Sequence, residues 1–210
     1  MGHMVEQVLL RRGIPLVCAS EDIAAVDPET ARNCVCIDFT TPDAFRRNYP
    51  VIASRFKAAV VGTTGWNDIK EEVIDAFTQA GTPMIYASNF SIGVNALFAA
   101  VERAGAILKG HGYIPHISEV HHVHKLDAPS GTAKSLGALV EKSLGVVPEI
   151  DAERIGEVPG IHTASFRSGC DLLTFRHEAF SREGFAEGAV AAALMTEGLS
   201  GVHEFKELLP

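Results

Sequence analysis

Short apolar runs alternate with amphipathic, helix-like stretches through the first half of this chain, and that alternation admits few folds. Residues 14–19 (IPLVCA), 34–39 (CVCIDF), 58–61 (AAVV) and 83–87 (PMIYA) are continuous apolar runs, the pattern of parallel strands buried on both faces. Between them lie helix signals. Val5, Val8 and Leu9 followed by Gly13 suit a short amphipathic helix with a glycine stop. Thr41-Pro42-Asp43 supplies a cap, a first-turn proline and an acid at the positive helix end. Residues 67–79 suit another helix. Strands that alternate with helices of this length predict an α/β parallel sheet with helices on both faces.

The second half follows a different order. A long helix over residues 93–108 precedes a strand over 113–121, a polar loop, and a helix over 130–144 for which Ser130 is a natural cap. Two alternating strands, 161–167 and 171–178, come next. In the latter Leu173 and Phe175 share one face and Thr174 and Arg176 the other. Residues 146–159 read as a long loop and 185–197 as an alanine-rich helix. This predicts a Rossmann-like domain over residues 1–91, a smaller α+β domain over 92–184, and C-terminal helices over 185–210 that return to the first. A dinucleotide-binding sheet ordinarily opens on a strand and a glycine-rich turn. This chain opens on the helix, without a GxGxxG.

Composition narrows the function classes. The 210 residues carry a net charge of −8, the wrong sign for phosphate-driven nucleic-acid binding or for an anionic membrane surface. No stretch approaches the ~20 apolar residues that span a bilayer; the run after Ile92 is broken by Asn95, Glu102 and Arg103. Arg11 and Arg12 precede only a short apolar run before Glu21 and Asp22, which is no signal peptide. Cys18, Cys34, Cys36 and Cys170 form no CxxC and sit in apolar runs, so they read as reduced core residues of a cytoplasmic protein.

The densest chemistry lies in residues 119–133, EVHHVHKLDAPSGTA. His121, His122, His124 and Lys125 follow a strand, and Ser130-Gly131-Thr132 opens a helix whose first N–H groups lack intrahelical partners. Such an end takes carboxylate or phosphate, Lys125 adds a full positive charge, and an imidazole donates a proton near neutral pH. The set suits a small substrate with one or two carboxylates that accepts a proton. A metal is the rival reading, with His121, His122 and His124 joined by His111, His116 or Glu119, but the spacing matches no metal motif, and no metal is expected.

A second candidate site is the series of strand ends Asp38-Phe39-Thr40-Thr41, Gly62-Thr63-Thr64-Gly65 and Ala87-Ser88-Asn89-Phe90. Parallel sheets bind ligands outside their carboxyl ends, so these turns could form one crevice for a nicotinamide and its ribose; each alone is also a routine turn. Arg182, before the last long helix, either closes a carboxylate site through its planar fork or pairs with Glu183 or Glu178. His162, His177 and His203 have no sequence partners that lift them above structural roles.

Residues 119–133 resemble the signature E-x-H-H-x-x-K-x-D-A-P-S-G-T-A of bacterial dihydrodipicolinate reductases. The resemblance extends to Ile37-Asp38-Phe39-Thr40, to Gly62-Thr63-Thr64-Gly65, to residues 87–95 and to residues 181–190. It implies an NAD(P)H-dependent reduction in lysine and diaminopimelate biosynthesis. It also implies a dinucleotide-binding domain and a smaller substrate domain whose sheet builds a homotetramer. By this similarity His121 is the proton donor or acceptor and Lys125 a second proton donor. His122, Gly131, Thr132 and Arg182 hold substrate carboxylates. Phe39, Thr40, Gly62, Thr63, Thr64, Ala87, Ser88, Asn89 and Phe90 contact NADH or NADPH. Ser20, Glu21 and Asp22, past the second expected strand, lean toward NADH. The family opens on G-x-x-G-[RK]-M-G. Met1-Gly2 corresponds to the end of that turn, or Gly2-His3-Met4 is a cloning scar. Either reading predicts weak dinucleotide binding.

Overall fold

The computed structural model describes residues 1–20 and 22–210. In chain order the elements are α1 (Gly2–Arg11), α2 (Pro28–Ala31), β1 (Val35–Asp38), α3 (Pro42–Arg55), β2 (Ala58–Val61), α4 (Lys70–Ala80), β3 (Met84–Tyr86) and α5 (Ile92–Leu108). They continue with β4 (Ile114–His121), α6 (Gly131–Leu144), β5 (Glu149–Arg154), β6 (Gly160–Arg167), β7 (Leu172–Ala179), α7 (Glu183–Met195) and β8 (Val202–Glu204). Two compact units result: Met1–Ser91 with Phe185–Pro210, and Ile92–Gly184.

The first unit is built on a parallel sheet in the order β1-β2-β3-β8. Side-chain alternation sends Cys36, Ala59, Val61 and Met84 to one face, where they meet Phe45 and Ile52 of α3 and Val73 and Phe77 of α4. Val60 and Ile85 go to the other face, against Ala189 and Ala192 of α7 and Phe205. Val5, Val8 and Leu9 of α1 join Ala186 and Val190 of α7. Phe45 and Phe77 are fully buried; truncating either to alanine costs about 3–5 kcal/mol. Thr41 caps α3 by accepting the Ala44 N–H at 3.3 Å. Gly81 ends α4 at φ +68°, a left-handed conformation that favours glycine.

The second unit carries a mixed sheet in the order β5-β4-β6-β7. Leu97 and Val101 of α5 and Leu136, Val140 and Leu144 of α6 cover one face through Ile117, Ala164 and Phe166. The other face presents His116, Ser118, Val120, Ile161, Thr163 and Ser165, all half-exposed.

An α/β architecture with a parallel sheet and a second, mixed α+β unit is therefore present, but four local expectations fail. Residues 14–19 form no strand: they pair with no neighbour among the described residues, and Leu16 and Val17 are exposed. An apolar run becomes a strand only where a ladder satisfies its N–H and C=O groups. The expected loop at 146–159 contains β5, parallel to β4. Its polar sequence EIDAER shows no alternation because it is an edge strand with little buried surface. The strand β8 is three residues long and extends the parallel sheet beside β3 without a sequence signal of its own. Of the four cysteines, all free, only Cys36 is a core residue; Cys34 is half-buried and Cys18 and Cys170 are exposed. No helix among the described residues is long and apolar enough to cross a membrane.

Candidate active site

In the second unit the site grows from the end of β4. Alternation turns Glu119 and His121 to the same, buried side. The carboxylate of Glu119 is 1% exposed and gathers its surroundings. It accepts the Ser130 N–H at 2.8 Å through Oε1 and the Ser130 hydroxyl through Oε2. Ser130 Oγ in turn accepts the Ala133 N–H at 3.2 Å and so caps α6. Glu119 therefore ties the start of α6 to β4.

Two other strands complete the cluster by register. His121 lies opposite Arg154 in the β4–β5 ladder. The Arg154 guanidinium reaches Glu119 Oε1 at 3.3 Å and donates to the carbonyls of Asp127 and, at 3.4 Å, of Lys125. Glu119 lies opposite His162 in the β4–β6 ladder. His162 Nε2 stands 3.5 Å from Glu119 Oε2 and 3.3 Å from Ser130 Oγ, and its ring packs edge-on against His121 with centroids 4.9 Å apart. His121 Nδ1 is 3.3 Å from Glu119 Oε2 without a hydrogen bond being made. The Lys125 ammonium pairs with Asp127 Oδ1 at 2.6 Å.

Burial sets the protonation pattern. It pushes the His162 imidazole down to about 4, helped by the charge of His121. It also lowers His121, with the Glu119 carboxylate opposing and Lys125 and Arg154 reinforcing the fall. Burial raises Glu119, but the Ser130 hydroxyl and N–H outweigh it and hold the carboxyl below its ordinary range. The cluster thus holds an ionised carboxylate beside imidazoles that part readily with a proton.

The structure brings His121 to the Glu119 carboxylate that holds the start of α6, where Gly131 and Thr132 stand, while Lys125 faces Asp127 and reaches His121 only through its charge. His122 is half-buried, with its ring 6.0 Å from that of His124. Arg182 is exposed, and no bond joins it to the cluster. Sequence reasoning missed Arg154 and understated His162, both of which arrive through strand register. Donor atoms of Glu119, His121 and His162 lie within 4.8 Å of one another, close enough for a metal ion. Ser130 and Arg154 already occupy that carboxylate, however, and the guanidinium opposes a second cation. Two of the other histidines of the metal reading face carboxylates elsewhere, His116 at 2.9 Å from Asp151 and His124 at 3.0 Å from Glu157.

In the first unit the carboxyl ends of β1, β2 and β3 form a separate rim. Buried Asp38 accepts the Thr63 hydroxyl, the Thr40 N–H at 3.2 Å and the Thr40 hydroxyl at 2.9 Å. Thr63, Ala87 and Phe90 turn inward, while Thr40, Thr64 and Ser88 are exposed and Phe39, Gly62 and Asn89 half-buried. Gly62 is required here, since a Cβ would lie 2.0 Å from the Phe39 ring. Glu21, one of the three residues read for nucleotide preference, lies outside the described residues.

Comparison with known proteins identifies the family. Residues 3–90 match the family description "Dihydrodipicolinate reductase, N-terminus" and residues 93–209 its C-terminal counterpart. The 4-hydroxy-tetrahydrodipicolinate reductase of Christiangramia forsetii is 34% identical over 100% of this chain and 93% of its own length. That of Methanopyrus kandleri is 36% identical over 87% of this chain and 74% of its own. A dipicolinate-bound dihydrodipicolinate reductase from Paenisporosarcina sp. TG-14 shares the fold, with a TM-score of 0.78 at 20% identity over 96% of this chain and 84% of that one. Family models match both halves, and the chain belongs to the dihydrodipicolinate reductase family.

Proposed function

We propose that this chain reduces 4-hydroxy-tetrahydrodipicolinate, or the dihydrodipicolinate derived from it, to tetrahydrodipicolinate with NADH or NADPH, in diaminopimelate and lysine biosynthesis. The observation that carries this reading is the gathering of His121 and the first turn of α6 on the Glu119–Ser130 pair, with the Lys125 charge acting on the same imidazole. The unit Ile92–Gly184 is read as the substrate-binding and tetramer-forming part. The unit Met1–Ser91, with the returning segment Phe185–Pro210, is read as the dinucleotide-binding part. The half-exposed sheet face bearing His116, Val120, Ile161 and Thr163 supports a homotetramer, and four free thiols fit a cytoplasmic setting.

The strand-end rim fits a dinucleotide. Thr40, Thr64 and Ser88 offer exposed hydroxyls beside a glycine without a side chain. With Asn89 and the backbones of Phe39, Thr63, Ala87 and Phe90 they would hold the nicotinamide and its ribose. NAD(P)H, when bound, supplies the hydride that adds to the unsaturated ring. His122 and the N–H groups of Gly131 and Thr132 hold the substrate carboxylates, with Arg182 at the margin. Lys125 meets the negative charge that develops toward the ring nitrogen, and His121 delivers the proton. The test is to follow consumption of reduced nicotinamide on adding 4-hydroxy-tetrahydrodipicolinate to the purified chain. Turnover with either nucleotide is expected, and no turnover with both would overturn the reading.

A further inference from the structure

We infer that Glu119 is the positioning residue of this site. Its carboxylate, clamped by Ser130, holds the His121 ring with Nδ1 toward Oε2 and Nε2 toward Gly160. The inference rests on His121 being the proton-transfer group and goes further by naming what keeps that group in one orientation.

The geometry leaves Glu119 little freedom. Oε1 is taken by the Ser130 N–H at 2.8 Å and faced by Arg154 at 3.3 Å. Oε2 takes the Ser130 hydroxyl, and its next neighbours are two imidazole nitrogens, His121 Nδ1 at 3.3 Å and His162 Nε2 at 3.5 Å. His162 Nε2 has a closer partner in Ser130 Oγ at 3.3 Å, which leaves Oε2 to His121. On the far side of the His121 ring, Gly160 has no side chain; a Cβ there would stand 3.1 Å from Nε2. One nitrogen thus faces a fixed carboxylate and the other lies beside Gly160, the residue there without a side chain. A carboxylate beside one imidazole nitrogen favours the tautomer that carries the proton there, even at the 3.3 Å separation where no hydrogen bond is made, and so aims the other nitrogen.

The charges around His121 make the idea measurable. Glu119 comes from β4, Lys125 and Asp127 from the following loop, Arg154 from β5, and His162 from β6, itself opposite His177 of β7. From α6 comes only the neutral Ser130. Burial, Lys125 and Arg154 favour the neutral ring, while Glu119 and Asp127 favour the imidazolium. Replacing Glu119 by glutamine removes the nearest charge that favours the His121 imidazolium.

The experiment compares kcat, KM and the pH profile of kcat/KM for the wild type, Glu119→Gln, Glu119→Asp and His121→Ala. Glu119→Gln is expected to lower kcat by about 10- to 100-fold with a much smaller change in KM. It should also move the alkaline loss of activity to lower pH. Glu119→Asp, which keeps the charge, should recover part of both. A wild-type rate and profile in Glu119→Gln, alongside an inactive His121→Ala, overturns the positioning role and leaves the proposed reaction standing. A wild-type rate in His121→Ala removes the proposed role of His121 and this inference with it. If Glu119→Gln does not fold, ¹⁵N NMR of the wild-type histidines decides. A neutral His121 protonated at Nδ1 supports the inference, and one protonated at Nε2 overturns it.

Discussion

Each unit buries one carboxylate at the end of its sheet, Asp38 in the first and Glu119 in the second, and the two are treated differently. Asp38 is surrounded by neutral donors from Thr40 and Thr63, all of them hydrogen-bonded. The result is a satisfied scaffold that shapes a turn and leaves chemistry to whatever rests on its rim. Glu119 is surrounded by a cap, a guanidinium and two imidazoles, and the Nδ1 atoms of His121 and His162 are buried without hydrogen-bond partners. An unsatisfied buried polar atom costs about 1–3 kcal/mol and persists where the surroundings enforce it. On the proposed reading, the contrast separates a surface that holds a ligand from a cluster that moves a proton.

The largest expected effect breaks or confirms that separation directly. His121→Ala should lower turnover by about 10²- to 10⁴-fold while calorimetric binding of a dicarboxylate analogue changes little. Lys125→Ala should damage both turnover and binding, because one ammonium serves the carboxylate site and the reacting centre. Substitution of Thr40 on the rim should instead raise KM for the nucleotide. Wild-type turnover in both His121→Ala and Lys125→Ala would leave the second unit without the chemistry assigned to it.

Acid stability should differ through His162. Its imidazole falls from an ordinary 6.5 to about 4 on folding, first through burial and then through His121. Between those values the unfolded chain binds a proton that the folded chain refuses, so stability declines as pH falls from 6.5 toward 4 and levels off below. The loss is on the order of 3 kcal/mol. Urea titrations across that window should show a shallower decline for His162→Gln. Equal slopes would mean that the ring gains its proton without leaving the fold. Glu119, held below its ordinary 4.5, adds a loss of its own at the acid end of the window.

The first unit is tested by packing rather than charge. A Cβ on Gly188 of α7 would stand 1.7 Å from the Phe90 carbonyl oxygen. Gly188→Ala gains about 1 kcal/mol of helix propensity, but the backbone clash outweighs it, with a net loss of about 1–3 kcal/mol. That corresponds to a fall in Tm of about 2–4 °C per kcal/mol, accompanied by weaker nucleotide binding as the 87–90 turn shifts. An unchanged Tm would show that α7 is free to move away from this rim.

What could be read from the sequence follows the same division. Strands β1, β2, β3, β4 and β6 were legible because burial on one or both faces writes itself into apolar runs or alternation, and β7 by its alternation although none of its residues is buried. Thr41 and Ser130 were legible as caps because capping is local. The run at 14–19 misled because apolarity says nothing of whether a neighbour exists to pair with. Edge strand β5 left no trace, with only Ile150 packed against the core and the rest polar. His121, Lys125 and Ser130 stood out because they are contiguous in sequence. Arg154 and His162 did not, since their proximity is a product of register, 33 residues beyond His121 in one case and 43 beyond Glu119 in the other. Antiparallel pairing of β4 with β6 would have placed His162 opposite Glu119, but pairing partners are a tertiary choice that periodicity does not reveal.

The smallest expected effect concerns how the second unit keeps its cation before substrate arrives. The Asp127 carboxylate is held below its ordinary range first by the Lys125 ammonium, at 2.6 Å, and more weakly by the Gly131 N–H at the start of α6. It therefore stands beside the same two donors that a substrate carboxylate would use, paired with the Lys125 ammonium. Asp127→Asn removes the competitor without removing the donors. The pair is partly exposed, and such pairs contribute at most about 1 kcal/mol, so KM for the dicarboxylate should fall by no more than about fivefold with kcat little changed. Added salt screens the same pair, and the difference between wild type and variant should shrink as ionic strength rises. A higher KM in Asp127→Asn would reverse the reading: Asp127 would then be the group that aims Lys125 at its substrate.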